Sequence, residues 1–292
     1  MSSATAALET ALAAVVDRAA DANCPPRFAQ ALRHSVFPAG ARVRPALCLA
    51  VASANGNDDP VLALAAACAV ELLHCASLVH DDLPCFDDAP ERRGQPSVHA
   101  AFGERLAVLA GDALIVSAFE SLAFAASHSR FPGRLAALVG VLGRGVGAPL
   151  GIAAGQAWEC EPTVDLSLDH RAKTGALFVA STAVGAAAAG AAHGLWETLG
   201  ARIGEAYQIA DDIRDATAEA GSIGKPIGRD AALGRPNAVH ACGLDGAVAR
   251  LRQLIVEGLD SVPSCPGRDG LRELVLEQSR RFLPKGLARL AA

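Results

Sequence analysis

Residues 61–80 read VLALAAACAVELLHCASLVH, an apolar run broken by Glu71, His74 and His80. Ala and Leu favour helix, and the run contains neither Gly nor Pro. A helix this apolar must be surrounded by other apolar surface. Its polar interruptions leave it short of a membrane span, so the expectation is a core helix in a protein without membrane spans. The rest of the chain agrees. Hydrophobic residues make up 51% of the 292 positions but aromatic residues only 4%. Strands draw on β-branched and aromatic side chains, so this composition favours helices over sheets.

Helical periodicity predicts segments at 5–22, 28–36, 43–54, 60–83, 98–126, 135–157, 166–190, 195–218, 229–240, 245–259 and 267–283. Breaks such as ANCPP, NGNDDP, SRFPG and VPSCPG separate them. No strand ladder is expected, and no linker is polar or long enough to mark a boundary. The expected fold class is therefore all-α, with residues 1–292 as a single domain.

A net charge of −5 argues against non-specific nucleic-acid binding. The eight cysteines stand at least seven positions apart, which excludes zinc-type spacing. They read as buried small hydrophobes in a reducing cytosol. The opening MSSATAALETALAAVVDRAAD has no basic leader and carries Glu9 and Asp17. It reads as an amphipathic helix, not a secretory signal, and the expected location is cytoplasmic.

The stretch LVHDDLPCFDDAPERRG places four aspartates within eight positions, followed by Arg92 and Arg93. At an effective dielectric of about 20, two carboxylates roughly 4 Å apart repel by about 4 kcal/mol, so something must neutralise them. Pro84 should loosen the helix end and let Asp87 and Asp88 fold back over Asp81 and Asp82. A second cluster, YQIADDIRD, sets Gln208, Asp211, Asp212 and Asp215 on one polar helix stripe. Asp211 and Asp215 are one turn apart, about 6 Å of rise. All-oxygen ligands favour magnesium, with manganese a substitute, and magnesium completes its shell with substrate phosphates. Arg92 and Arg93 can clamp phosphate oxygens.

These motifs resemble those of the trans-isoprenyl diphosphate synthases. DDLPCFDD followed by RRG is similar to the family's first aspartate-rich motif, and DDIRD to its second. ARVRPAL, HRAKTGALF and GKPIGRD fall in the expected order. FPAGARVRP, AGQAWE, GRPNAV and PSCPG resemble the geranylgeranyl diphosphate synthases of phototrophic bacteria, which feed carotenoid pathways. The resemblance implies an antiparallel helical bundle of the isoprenoid synthase type around a central apolar cavity. It also implies a homodimer.

The implied reaction is head-to-tail condensation of isopentenyl diphosphate with allylic diphosphates: dimethylallyl, geranyl and farnesyl. Asp81, Asp82, Asp87, Asp88, Asp211, Asp212 and Asp215 would hold three magnesium ions on the allylic diphosphate. Lys173, Lys225 and Arg92 would contact that diphosphate, and Thr174 and Gln208 would face the reacting centre. Arg44, His74 and Arg93, with Arg235, would bind isopentenyl diphosphate, while His80 either packs or supports the residues that do. The lysine of the family's GGKR stretch is Ala41 here, which implies a site short of charge unless Arg42, Arg280 or Arg281 compensates. Ala76 and Ser77, small residues below Asp81, imply a geranylgeranyl product, with Leu114, Ile115 or Phe119 as floor. A farnesyl synthase, a non-catalytic prenyl-diphosphate-binding subunit and a terpene cyclase are the alternatives.

Overall fold

The computed structural model describes residues 3–37, 40–161, 173, 175–217 and 237–279. The apolar run forms helix α4 (Pro60–Asp81). Asp59 caps it, accepting the Leu62 N–H at 3.1 Å, and Pro60 supplies a fixed φ in the first turn. Before it come α1 (Ser3–Ala19), α2 (Pro26–Val36) and α3 (Val43–Ala54). After it come a two-residue hairpin, α5 (Val98–Phe102), α6 (Glu104–Ser127), α7 (Leu135–Val146) and α8 (Ile152–Trp158). The described residues continue with α9 (Ala176–Ala188), α10 (Glu197–Thr217), α11 (Ala238–Asp260) and α12 (Arg268–Ser279).

The all-helical expectation holds, with four local corrections, one being that the segment predicted at 135–157 is two helices, α7 and α8. The segment predicted at 98–126 is two helices, because Gly103 turns the chain at φ +91°. The described part of the segment at 229–240 continues into that at 245–259 as one helix, α11, broken at Gly243 with φ +73°. A small ladder is also present: β1 (Glu91–Arg92) pairs antiparallel with β2 (Gln95–Pro96).

α4 packs most extensively against α6 and also meets α1, α2, α3, α7 and α9. Its length and apolarity alone would let it cross a membrane, as would those of α6. The expectation that 61–80 falls short of a span is corrected on that point. What makes α4 a core helix is its partners, which cover 72% of its apolar window and satisfy Glu71 within the protein. One apolar cluster gathers α1, α2, α4, α6 and α7 with Cys48 and Ala52 of α3, and a second gathers the other face of α3 with α10, α11 and α12. α9 lies between them, with Leu177, Ala180 and Ala183 in the first cluster and Phe178 and Ala186 in the second. Fully buried leucines such as Leu62, Leu72 and Leu122 each contribute about 2 kcal/mol. All eight cysteines are free thiols; Cys48, Cys68 and Cys75 are buried, but Cys85, Cys160 and Cys242 are exposed, so burial explains only some of them.

Candidate active site

α4 ends at Asp81, and the next seven residues curl back over that end. The Asp87 N–H donates to the Asp81 carbonyl at 2.9 Å, and the Asp88 N–H to the Leu83 carbonyl at 3.1 Å. The Ala89 N–H reaches the Asp82 carbonyl at 3.2 Å. This is the fold-back expected from Pro84, with Asp88 in the left-handed region at φ +45°.

The carboxylates there are matched by cations. Arg92 grips buried Asp82 through two nitrogens, its Nε lying 2.9 and 3.1 Å from the two oxygens. The same guanidinium is 3.7 Å from Asp81. Lys173 Nζ sits 2.9 Å from Asp81 Oδ1 and 2.7 Å from Glu159. Burial raises the Asp82 carboxyl above its usual range despite Arg92. The Lys173 ammonium is raised, because Asp81 and Glu159 outweigh its desolvation.

A further cation, Arg44, lies at the junction of α3, α4, α9 and α10. Arg44 Nη1 is 3.4 Å from His74 Nε2, and its guanidinium lies 4.3 Å from the Phe178 ring centroid and 5.7 Å from that of Tyr207. Its buried Nε has no hydrogen-bond partner among the described residues. Burial lowers both Arg44 and His74, with Arg44 and Arg93 pushing His74 further down, so the imidazole is neutral. Arg44 also feels the charge of Asp211, one turn beyond Tyr207 on α10. Arg44 thus contacts residues of α4, α9 and α10.

In that cluster the aspartates differ. Asp211 pairs with Arg214 and lies near the surface. Asp212 is buried; its oxygens accept Gln208 Nε2 at 3.2 Å and the Ala238 N–H at 2.8 Å. Asp215 is exposed. The predicted single stripe therefore splits into an inward member and two outward ones.

Other sequence-predicted positions are also placed. His80 Nε2 lies 3.2 Å from the Val108 carbonyl, and its ring occupies the notch left by Gly111, where a Cβ would come within 2.1 Å. That is the expected packing duty. Ala76 is buried in the first apolar cluster, Ser77 donates to the His74 carbonyl, and Phe119 is partly buried against the same cluster. Ala41 is exposed. Arg42, expected to be free to compensate, is instead buried and paired with Glu9 and Glu71. That expectation is corrected. Thr174, Lys225, Arg235, Arg280 and Arg281 lie outside the described residues.

Sequence reasoning missed Glu159, Tyr207 and Arg214. Arg214 was legible, being three residues from Asp211 on a helix. Glu159 lies fourteen positions from Lys173, and no local spacing joins them.

Residues 25–264 match the polyprenyl synthetase family model. The chain belongs to the polyprenyl synthetase family. As a polyprenyl synthetase it is 52% identical to the geranylgeranyl diphosphate synthase of Cereibacter sphaeroides, over 96% of this chain and 97% of that one. It is 50% identical to the enzyme of the same name from Rhodobacter capsulatus, over 92% of each chain. Among solved structures it resembles geranylgeranyl pyrophosphate synthetase of Pyrococcus horikoshii, with TM-score 0.75 and 27% identity over 91% of this chain and 94% of that one. It also resembles a Helicobacter pylori geranyltransferase complexed with magnesium and isoprenyl diphosphate, with TM-score 0.74 and 28% identity over 95% and 98%. The expected isoprenoid synthase fold and the resemblance to geranylgeranyl diphosphate synthases are borne out. As a member of this family the chain is a trans-prenyltransferase.

The acidic residues suit magnesium. Their donors are carboxylate oxygens, and among the described residues no three His, Cys, Asp or Glu side chains converge to hold a metal unaided. Carboxylate oxygens are the donors magnesium prefers, and it commonly completes its shell with substrate phosphates.

Proposed function

We propose that this polyprenyl synthetase makes geranylgeranyl diphosphate. It ionises an allylic diphosphate, joins the allylic cation to the double bond of isopentenyl diphosphate, releases a proton and repeats. The observation that carries this reading is Asp81, held between Lys173 at 2.9 Å and Arg92 at 3.7 Å. An acidic group flanked by two cations at a helix end can bind a polyanion through a shared divalent ion on one side and direct donors on the other.

Three magnesium ions, replaceable by manganese, are assigned to Asp81, Asp87 and Asp88 with Asp211 and Asp215. The buried Asp82 and Asp212 serve the frame, one orienting Arg92 and the other anchoring α11. Bound there, magnesium supplies positive charge to the diphosphate as its bond to carbon breaks. Lys173 and Arg92, with Lys225, donate to the same leaving group. Gln208 and Thr174 face the allylic carbon. Arg44, neutral His74 and Arg93, with Arg235, hold isopentenyl diphosphate.

The small side chains of Ala76 and Ser77 suit a growing chain that passes along α4, and Phe119 is assigned to its floor. Residues 1–292 act as one domain, since α9 joins both apolar clusters. A homodimer is assigned to the outer face of α6. There Leu109, Val116 and Phe124 are each more than half exposed, at helical spacing. The protein is assigned to the cytoplasm.

Purified protein given magnesium, farnesyl diphosphate and labelled isopentenyl diphosphate should yield geranylgeranyl diphosphate on chromatography. Growth that stops at farnesyl from shorter primers makes it a farnesyl synthase. No elongation makes it a non-catalytic subunit.

A further inference from the structure

Arg42 begins α3 with φ +50°, a left-handed conformation that costs a non-glycine residue about 1 kcal/mol or more. Its side chain is enclosed and fully engaged. Nε donates to Glu9 Oε1 at 2.9 Å, and Nη2 donates to Glu9 Oε2 at 3.2 Å and to the Val36 carbonyl at 3.1 Å. Nη1 donates to Glu71 Oε1 at 2.6 Å. Glu71 is buried on α4, three residues before His74, with the Cys75 thiol 3.9 Å away. Burial and the Glu71 charge push that thiol up to about 12, so it stays protonated beside the carboxylate.

Two residues to either side of Arg42 stand parts of the isopentenyl diphosphate site. Arg44 follows it on α3. Gly40 precedes it, and a Cβ there would lie 2.4 Å from Arg93 Cζ, so the Arg93 guanidinium fills the space a side chain would take. Arg93 is also left-handed, at φ +55°. One joint thus reaches all three groups assigned to isopentenyl diphosphate: Arg44 along the chain, Arg93 across Gly40, and the neutral His74 through Glu71 on the same helix. Glu9 completes the joint from α1, which lies before residues 25–264 of the shared family region.

We propose that Glu9 is a positioning residue for isopentenyl diphosphate, acting through Arg42 and making α1 part of the substrate site. This rests on the synthase reading above. Glu71 alone balances the Arg42 charge and keeps the buried pair satisfied. Glu9 adds a second anchor, and its two-point grip fixes the plane of the guanidinium and the strained turn that aims Arg44. A carboxylate about one-quarter exposed can be altered without opening the core.

Glu9→Gln and Glu9→Ala are to be compared with the unaltered enzyme for steady-state kinetics, thermal midpoint and the midpoint shift on adding isopentenyl diphosphate alone. The Michaelis constant for isopentenyl diphosphate should rise about tenfold, as small misplacements of binding groups do. That for the allylic diphosphate, and kcat at saturation, should stay within about twofold. The shift induced by isopentenyl diphosphate should shrink in parallel. Because Arg42→Ala strands Glu71 without its partner, Arg42→Lys is the better second variant. Combined with Glu9→Gln it should add little to Arg42→Lys alone. Equal losses for both substrates, accompanied by a lower midpoint, would reduce Glu9 to a structural role and overturn the proposal. So would unchanged kinetics in a wild-type enzyme that elongates and binds isopentenyl diphosphate. If the wild type does neither, the synthase reading itself fails.

Discussion

The carboxylate of Asp212 accepts the backbone N–H of Ala238 at 2.8 Å, joining the second acidic motif to the first turn of α11. Asn237 caps the same turn through the Val239 and His240 N–H groups. A negative charge at a helix start is favourable, and this one is buried. Asp212→Ala should therefore cost about 1–3 kcal/mol in urea unfolding. Asp211→Ala should leave stability nearly unchanged and lose most activity. Equal stability losses in the two variants would erase the distinction.

Arg214 is the counter-ion of Asp211. A magnesium ion at Asp211 must displace it. Arg214→Leu should lower the half-saturating magnesium concentration about two- to fivefold, the scale of a half-exposed ion pair. A magnesium titration followed by thermal midpoint, with inorganic diphosphate present to complete the metal's shell, reads this directly. Excess chelator should abolish turnover in both proteins, and restored magnesium should recover it.

Ala76 lies 2% exposed on α4, between Glu71 and the Asp81 end. Ala76→Tyr puts a ring into the path assigned to the growing chain. The main product should shorten to farnesyl diphosphate on chromatography. An unaltered product profile would place the stop elsewhere.

Ala41 is exposed beside Gly40, at the position where the resemblance implies a lysine. Ala41→Lys should lower the Michaelis constant for isopentenyl diphosphate severalfold, about 1 kcal/mol for one charge-assisted contact. No change would mean that the site is not short of charge.

His74 is held neutral by burial and by Arg44 and Arg93. Below about pH 6.5 the unfolded chain takes up a proton that the folded imidazole refuses. Its contribution to stability is therefore present above that pH and lost as pH falls, by at most about 1.4 kcal/mol per unit. Urea midpoints between pH 7.5 and about 5.5 should show this slope, and His74→Gln should lack it. The same slope in the variant would assign the effect to other groups.

Helix content and order were legible because Ala- and Leu-rich periodic segments leave few alternatives. So was the fold-back after Pro84, since a missing amide forces the next residues to find other partners. The site was less legible. Arg42 was expected to face the substrate, yet it serves Glu9 and Glu71, both distant in sequence. Glu159 carried no local signal, because its partner Lys173 belongs to another part of the chain.

The sequence by itself determined an all-helical chain with two oxygen-rich clusters and the cations to balance them, since helix propensity and charge spacing act over neighbouring residues. Only the tertiary structure decided which aspartates turn inward and which arginines are already engaged. A buried charge must find its partner wherever packing brings one, and that choice is made between helices, not along them.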